Sequence, residues 1–112
     1  FVLCIKLTSV NLSGFNTENV TNMGSMFYAC ASLETVDLTD FETGNVNDMS
    51  QMFSNCAALT TIYASNKFDV SNVRYSDQMF NGCEQLTNYK SENEVDKTYA
   101  KIGDGGYFTA KP

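Results

Sequence analysis

Hydrophobic and polar positions along this chain recur with a period of about 26 residues. The clearest landmark is a phenylalanine followed by a cysteine three residues later, with a leucine three residues after the cysteine. The landmark phenylalanines are Phe1, Phe27, Phe53 and Phe80, which lie 26, 26 and 27 residues apart. A fixed period of this length predicts a solenoid, because stacked copies of one unit bury the same side chains against each other.

Each repeat contains two different hydrophobic periods. A spacing of three or four residues predicts a short helix with one buried face, and it connects Val20, Met23, Met26, Phe27 and Cys30. Farther along the repeat, Val36 and Leu38 alternate with polar residues, which predicts a short, half-buried strand.

The predicted fold class is therefore an α/β repeat, with a short parallel sheet on one side of the solenoid and short helices on the other. Parallel strands lie about 4.8 Å apart, whereas packed helices need about 8–10 Å. This mismatch predicts a curved stack with the sheet on its concave side.

The repeat pattern predicts unit boundaries and a different closing segment. The units are 1–26, 27–52 and 53–79, with the start of a fourth at 80–90 and a C-terminal cap at 91–112. The cap offers bulky side chains that can cover the last repeat, namely Tyr99, Ile102, Tyr107 and Phe108. Phe1 already lies inside a repeat, so we expect the chain to be a fragment of a longer protein.

The repeat resembles a known family. The residues that carry the resemblance run from Asn19-Val20-Thr21-Asn22-Met23 to Leu33, and then from Val36-Asp37-Leu38 to Phe41. They are similar to the 26-residue repeat of BspA-like leucine-rich-repeat surface proteins, as in Listeria and mycoplasma surface lipoproteins. The ending from Tyr99 to Thr109 resembles a shortened form of the closing segment of those arrays. The resemblance implies a leucine-rich-repeat solenoid in a bacterial protein that is secreted or displayed on the cell surface.

Charge and composition exclude several classes of function. The net charge of −6 argues against nucleic acid and anionic membrane surfaces, whose binding relies on lysine and arginine. The chain has no histidine, which removes the commonest general base and the usual zinc ligand. No nucleophile with a base and no pair of carboxylates at a shared site is evident, so we expect no enzymatic activity, no cofactor and no metal.

The four cysteines allow two interpretations. Their even number in an extracellular family would suit disulfides. Their equivalent positions, one per repeat, place the Cβ atoms at least one strand spacing apart, which exceeds the roughly 3.5–4.5 Å that a disulfide needs. The geometry favours buried free thiols at Cys4, Cys30, Cys56 and Cys83.

Two sets of polar residues recur at equivalent positions. Asn19, Asn45 and Asn72 are interpreted as structural residues that bond backbone groups where each helical segment begins. The second set faces outward from the strands and varies in chemistry. It consists of Asn11, Asp37, Tyr63 and Lys90, flanked by small polar residues such as Ser13.

This variable column is the candidate partner-binding site, since a tyrosine beside a carboxylate is an anchor that interfaces favour. We expect a non-catalytic recognition or adhesion module that binds protein or glycan partners through the concave strand face. Suspected partners are host or neighbouring-cell surface and matrix proteins. The alternatives are a structural stalk and a spacer that self-associates end to end through its uncapped first repeat.

Overall fold

The computed structural model describes residues 3–12 and 14–112. Phe1, the first landmark of the repeat, and Ser13, predicted to face outward, lie outside the described residues. Within the described range the chain forms one 3₁₀ turn, Lys97–Tyr99, and four strands: β1 Ser9–Asn11, β2 Thr35–Asp37, β3 Thr61–Ala64 and β4 Phe108–Ala110.

The four strands form one parallel sheet in the order β1-β2-β3-β4. The first three strands come from the same position of successive repeats, and Val10, Val36 and Ile62 lie opposite one another. These residues point into the core while their neighbours point outward, as the alternating pattern predicts. The parallel sheet and the regular strand spacing confirm the predicted repeat architecture, in which each repeat forms one coil.

Equivalent side chains stack inside the coils. The rings of Phe27 and Phe53 lie 5.4 Å apart and within 9° of parallel, and those of Phe53 and Phe80 lie 5.6 Å apart and within 2°. Most of the repeated leucines and methionines beside them are also buried. Burying a side chain of this size contributes about 1.5–3 kcal/mol, so repetition of a few positions is enough to build the core.

The cysteines form a buried ladder of free thiols, as predicted. Cys30, Cys56 and Cys83 are buried, Cys4 is half-buried, and none is in a disulfide. The Sγ atom of Cys56 donates to the carbonyl of Phe27 at 3.1 Å, and that of Cys83 to the carbonyl of Phe53 at 2.9 Å. Burial raises the pKa of Cys56 to about 12 and also raises the pKa of Cys83.

The predicted helices are wrong. The described part of the chain contains no α-helix, and the segment from Val20 to Cys30 forms consecutive turns, as do its equivalents. Ser25 and Ala29 adopt left-handed backbone conformations with φ near 57°, and Gln51 and Asn55 repeat this in the next coil. A right-handed helix cannot contain such residues, because each of them reverses the handedness of the backbone.

Backbone hydrogen bonds between coils explain why turns replace helices. Met23 and Ser25 donate their N–H groups to the carbonyls of Asp48 and Ser50 in the next coil, at 2.8 and 2.9 Å. The N–H groups of the intervening residues close local turns, as that of Met26 does with the carbonyl of Met23. This alternation satisfies the donors that a helix would use within itself.

The argument for a concave sheet therefore does not hold. It assumed that helices hold one side of the stack farther apart than strands hold the other. Backbone hydrogen bonds connect the coils on both sides, so the spacing mismatch is absent. We call the solvent-exposed side of the sheet the strand face.

Polar side chains also connect the coils along the segments between each strand and the consecutive turns that follow it. Thr43 is fully buried, and its hydroxyl donates to the carbonyl of Asp69 at 2.9 Å and accepts from the Asp69 N–H. Asn45 and Asn72 donate their side-chain amides to the carbonyls of Glu18 and Gly44. The asparagines thus bond backbone groups, as predicted, but those of the preceding coil.

The C-terminal segment covers the last coil. Tyr107 is fully buried and packs edge-on against Phe80, with 5.1 Å between ring centroids. Phe108 lies opposite Ile62 in the sheet and contacts Phe80 from the strand side. On the turn side, the carbonyl of Val95 accepts the N–H of Phe80 at 2.8 Å. Gly106 allows the close return of the chain, because a Cβ there would collide with the carbonyl of Lys101.

Candidate functional site

The strand face brings three of the four predicted site residues into one column. Asn11, Asp37 and Tyr63 lie opposite one another on β1, β2 and β3, as the 26-residue period predicts. Asn11 is exposed and Tyr63 is half-buried, so both present polar atoms near solvent. Their placement follows from alternation, since the residues before and after them point inward.

Lys90 is not in this column, contrary to prediction. Asn88 has a left-handed conformation, with φ of 66°, and turns the chain out of the sheet before a fourth strand can form. The strand next to β3 is instead β4, in which Thr109 lies opposite Tyr63. Because Tyr107 and Phe108 bury two aromatic side chains there, β4 covers the last coil better than residues 87–90, which offer only Tyr89.

Asp37 is the most constrained residue of the site. It is only 8% exposed, although it carries a charge. Its Oδ1 atom accepts from the backbone N–H of Thr39 at 3.0 Å and from the Thr39 hydroxyl at 2.6 Å. Its Oδ2 atom accepts from the ammonium group of Lys111 at 2.5 Å.

These contacts determine the charge state of the pair. Burial by itself would raise the pKa of Asp37, but the hydrogen bonds from Lys111 and Thr39 outweigh it, and the pKa is lowered. The hydrogen bond to Asp37 raises the pKa of Lys111, helped by the negative charges of Asp37 and Asp40. Both groups are therefore charged near neutral pH.

A groove lies where the turn side meets the cap. It has a volume of about 620 Å³ and is lined by Ser50, Gln51, Asp77, Gln78, Glu94, Val95 and Asp96. Three of these residues are acidic, but Asp96 already accepts the N–H of Thr98 at the start of the 3₁₀ turn. Among residues 3–12 and 14–112, no group of three or more cysteine, aspartate or glutamate side chains is arranged to hold a metal ion.

Comparison with known proteins places the chain in a family. Residues 1–101 match the family described as Mycoplasma protein of unknown function, DUF285. The chain belongs to the DUF285 family. This family is related to BspA-like surface repeats, which agrees with the resemblance of the repeat in coarse terms. Neither a curated protein nor a solved structure matches the chain.

The DUF285 match includes Asn11, Asp37 and Tyr63 but ends before β4. Thr109 and Lys111, which complete the strand face, therefore lie outside the matched range. Among the described residues there is no helix with the length and hydrophobicity needed to cross a bilayer.

Sequence reasoning missed Lys111 and Thr39. Lys111 lies 74 residues from Asp37 in sequence, and no repeat relates the two. The one available signal was the run Tyr107-Phe108-Thr109-Ala110, whose aromatic and β-branched residues are typical of a strand. A fourth strand there would have placed Lys111 beside the strand face.

Proposed function

We propose that this DUF285 chain is a non-catalytic recognition or adhesion module of the BspA-like kind, secreted or displayed on a bacterial surface. It binds a protein or glycan partner through the strand face. Host or neighbouring-cell surface and matrix proteins are the expected class of partner.

The observation that carries this proposal is the pairing of Asp37 with Tyr63 on adjacent strands. The core positions of the coils repeat the same residue types, whereas the outward column changes from Asn11 to Asp37 to Tyr63. A half-buried tyrosine beside a carboxylate held by hydrogen bonds offers a rigid aromatic surface and a fixed acceptor. Rigid anchors of this type contribute most of the binding energy at protein interfaces.

Binding of the labelled chain to a panel of immobilised matrix proteins and glycans tests the proposal. We expect Tyr63→Ala and Asp37→Ala each to weaken binding by about tenfold or more. Tyr75→Ala is the matched control, because Tyr75 is 60% exposed and lies on the turn side, away from the strand face. Full retention of binding by both strand-face variants would refute the proposal.

A spacer that associates end to end is the second candidate, and exposed apolar residues of the first coil favour it. Phe15 is 59% exposed, whereas Phe41, its equivalent in the next coil, is 1% exposed. Leu3 and Ile5 are also exposed.

The occupant that we propose for this end is the first coil of a second copy, because association would remove the exposed Leu3, Ile5 and Phe15 side chains from water. Sedimentation velocity over a range of concentrations should show a reversible dimer. Phe15→Ser should shift the equilibrium to monomer, and Ile102→Ser, an apolar exposed residue at the opposite end, should leave it unchanged. A strict monomer at all concentrations would exclude this candidate.

A further inference from the structure

Lys111 makes a contact that crosses the strand face. It follows β4 directly, yet its ammonium group reaches Asp37 on β2, so its side chain extends across the position of β3. Tyr63 of β3 lies opposite Asp37, and the carboxylate of Asp40 is close enough to contribute to the field around the ammonium group. The protein thus holds one of its own cations at the centre of the candidate site.

The acceptor is organised independently of Lys111. Thr39 donates two hydrogen bonds to Oδ1 of Asp37, which fixes the orientation of the carboxylate and directs Oδ2 toward the strand face. Tyr63 lies opposite Asp37 in the register. A fixed carboxylate beside an aromatic ring is a favourable environment for a lysine or arginine side chain, which can bond the carboxylate and contact the ring face.

The contact of Lys111 is easily released. Its side chain is 48% exposed, so water competes for the ammonium group. Ion pairs at such exposure contribute little to stability, because screening and the ordering of a long side chain offset the attraction. The carboxylate of Asp37, in contrast, is largely buried and stays in place through Thr39.

We propose that the Asp37–Tyr63 site takes a lysine or arginine side chain of a protein partner, and that Lys111 occupies it in the unbound chain as an internal competitor. The proposal rests on the proposed function and specifies the chemistry of its partner. The net charge of −6 favours the approach of a cationic segment. Lys111 lowers the affinity of the site for a partner's lysine or arginine side chain, since the partner must displace Lys111 first.

A peptide titration followed by two-dimensional NMR tests this competition. The probe is a peptide of alternating glycine and lysine whose termini are blocked by acetylation and amidation. The same peptide with glutamate in place of lysine is the negative control. We expect the lysine peptide to shift the amide signals of Asp37, Thr39 and Tyr63. Lys111→Ala should tighten its binding by about two- to fivefold, the range set by losing a half-exposed ion pair.

Matched variants separate site binding from general charge attraction. Asp37→Asn and Glu42→Gln each remove one negative charge, but Glu42 is an exposed loop residue with no side-chain contact to the strand face. Asp37→Asn should abolish the shifts on the strand face, and Glu42→Gln should leave them in place. Lys101→Ala, which removes an exposed lysine of the cap, should leave the affinity as in the wild type.

The outcomes distinguish the two proposals. Equal affinity of the wild type, Lys111→Ala and Asp37→Asn for the lysine peptide would overturn the competition by Lys111, even if Tyr63→Ala still abolished binding to matrix partners. Binding of the glutamate peptide to Lys111 in preference to the lysine peptide would overturn it as well. Competition with the lysine peptide, in the absence of any matrix or glycan binding, would support this inference and count against the broader adhesion function.

Discussion

At the scale of single residues, buried polar side chains join the coils alongside the apolar core. Thr43 bonds both backbone groups of Asp69 with one hydroxyl, and Thr17 does the same with Glu42. The cysteines combine both roles, because each buried thiol fills core volume and Cys56 and Cys83 also donate to carbonyls of the preceding coil. These residues are small, so the coils can approach to strand spacing.

Replacing Thr43 with valine tests this role of the hydroxyl. The side chain keeps its volume but leaves the N–H and the carbonyl of Asp69 without their partner, which we expect to lower the free energy of unfolding by about 1–3 kcal/mol. Urea denaturation measures the change. Thr35→Val is the matched control, because Thr35 is a half-buried strand residue where valine is well tolerated, and it should change stability by less than about 0.5 kcal/mol.

The thiols should react in the order of their burial. The thiolate is the reactive form, and burial raises the pKa of Cys56 to about 12, so at pH 8 this residue is protonated as well as shielded. In the native protein a thiol reagent should therefore modify the half-buried Cys4 first, and all four cysteines should react after denaturation. Mass spectrometry of tryptic peptides identifies the modified sites. Modification of Cys56 before Cys4 would contradict the burial of Cys56 in the core.

The raised pKa of Cys56 also predicts how stability depends on pH. The folded state holds the thiol proton more tightly than the unfolded state, whose thiol titrates near 9.0. This contribution to stability is complete below pH 9 and is lost as the pH rises toward 12.

At the scale of elements, the turn side differs most from expectation. A spacing of three or four residues between apolar side chains suits a helix, but consecutive turns with left-handed residues place the same side chains inward. The two structures differ in the partners of the N–H groups, which a helix keeps within itself and these turns share with the next coil. The apolar spacing could not distinguish the two.

A pair of glycine substitutions tests the left-handed turns. Ala29 has φ of 57°, where an alanine is strained by about 1–2 kcal/mol. Ala29→Gly relieves this strain and offsets the greater flexibility of glycine in the unfolded chain, so we expect equal or slightly higher stability. Ala31→Gly, two residues away on an exposed turn and outside the left-handed region, should lower stability by about 0.5–1 kcal/mol. A larger loss at Ala29 than at Ala31 would be inconsistent with the turn geometry.

At the scale of the whole molecule, one terminal segment closes the solenoid on two sides. Val95 continues the hydrogen-bond ladder of the turn side, and β4 continues the sheet. Tyr107 joins the two, since its ring contacts Phe80 of the last coil and stacks on Tyr99 of the cap at 5.1 Å. In a solenoid each unit contacts only its neighbours, so the cap and the last coil stabilise each other.

Tyr107→Ala should release this cap. Truncating a fully buried aromatic side chain costs about 3–5 kcal/mol, whereas Tyr75→Ala, at an exposed position, should cost less than about 0.5 kcal/mol. Amide hydrogen exchange should show loss of protection in β4 before β1 and β2, because the disturbance begins at the C-terminal end. Simultaneous loss of protection in all strands would instead indicate one cooperative unit.

The sequence by itself determined the period, the inward positions, the parallel order of β1 to β3 and the column of Asn11, Asp37 and Tyr63. These features need only equivalent residues in equivalent places, because a stack of coils converts repetition directly into contacts. Only the tertiary structure decided the turn conformation, the replacement of Lys90 by Thr109 and the contact of Lys111 with Asp37. The turns depend on backbone acceptors in the next coil, the fourth strand on which aromatic residues cover the last coil, and the ion pair on where the C-terminal segment ends. Asp37 and Lys111 are 74 positions apart, and no local sequence pattern indicates that they pair.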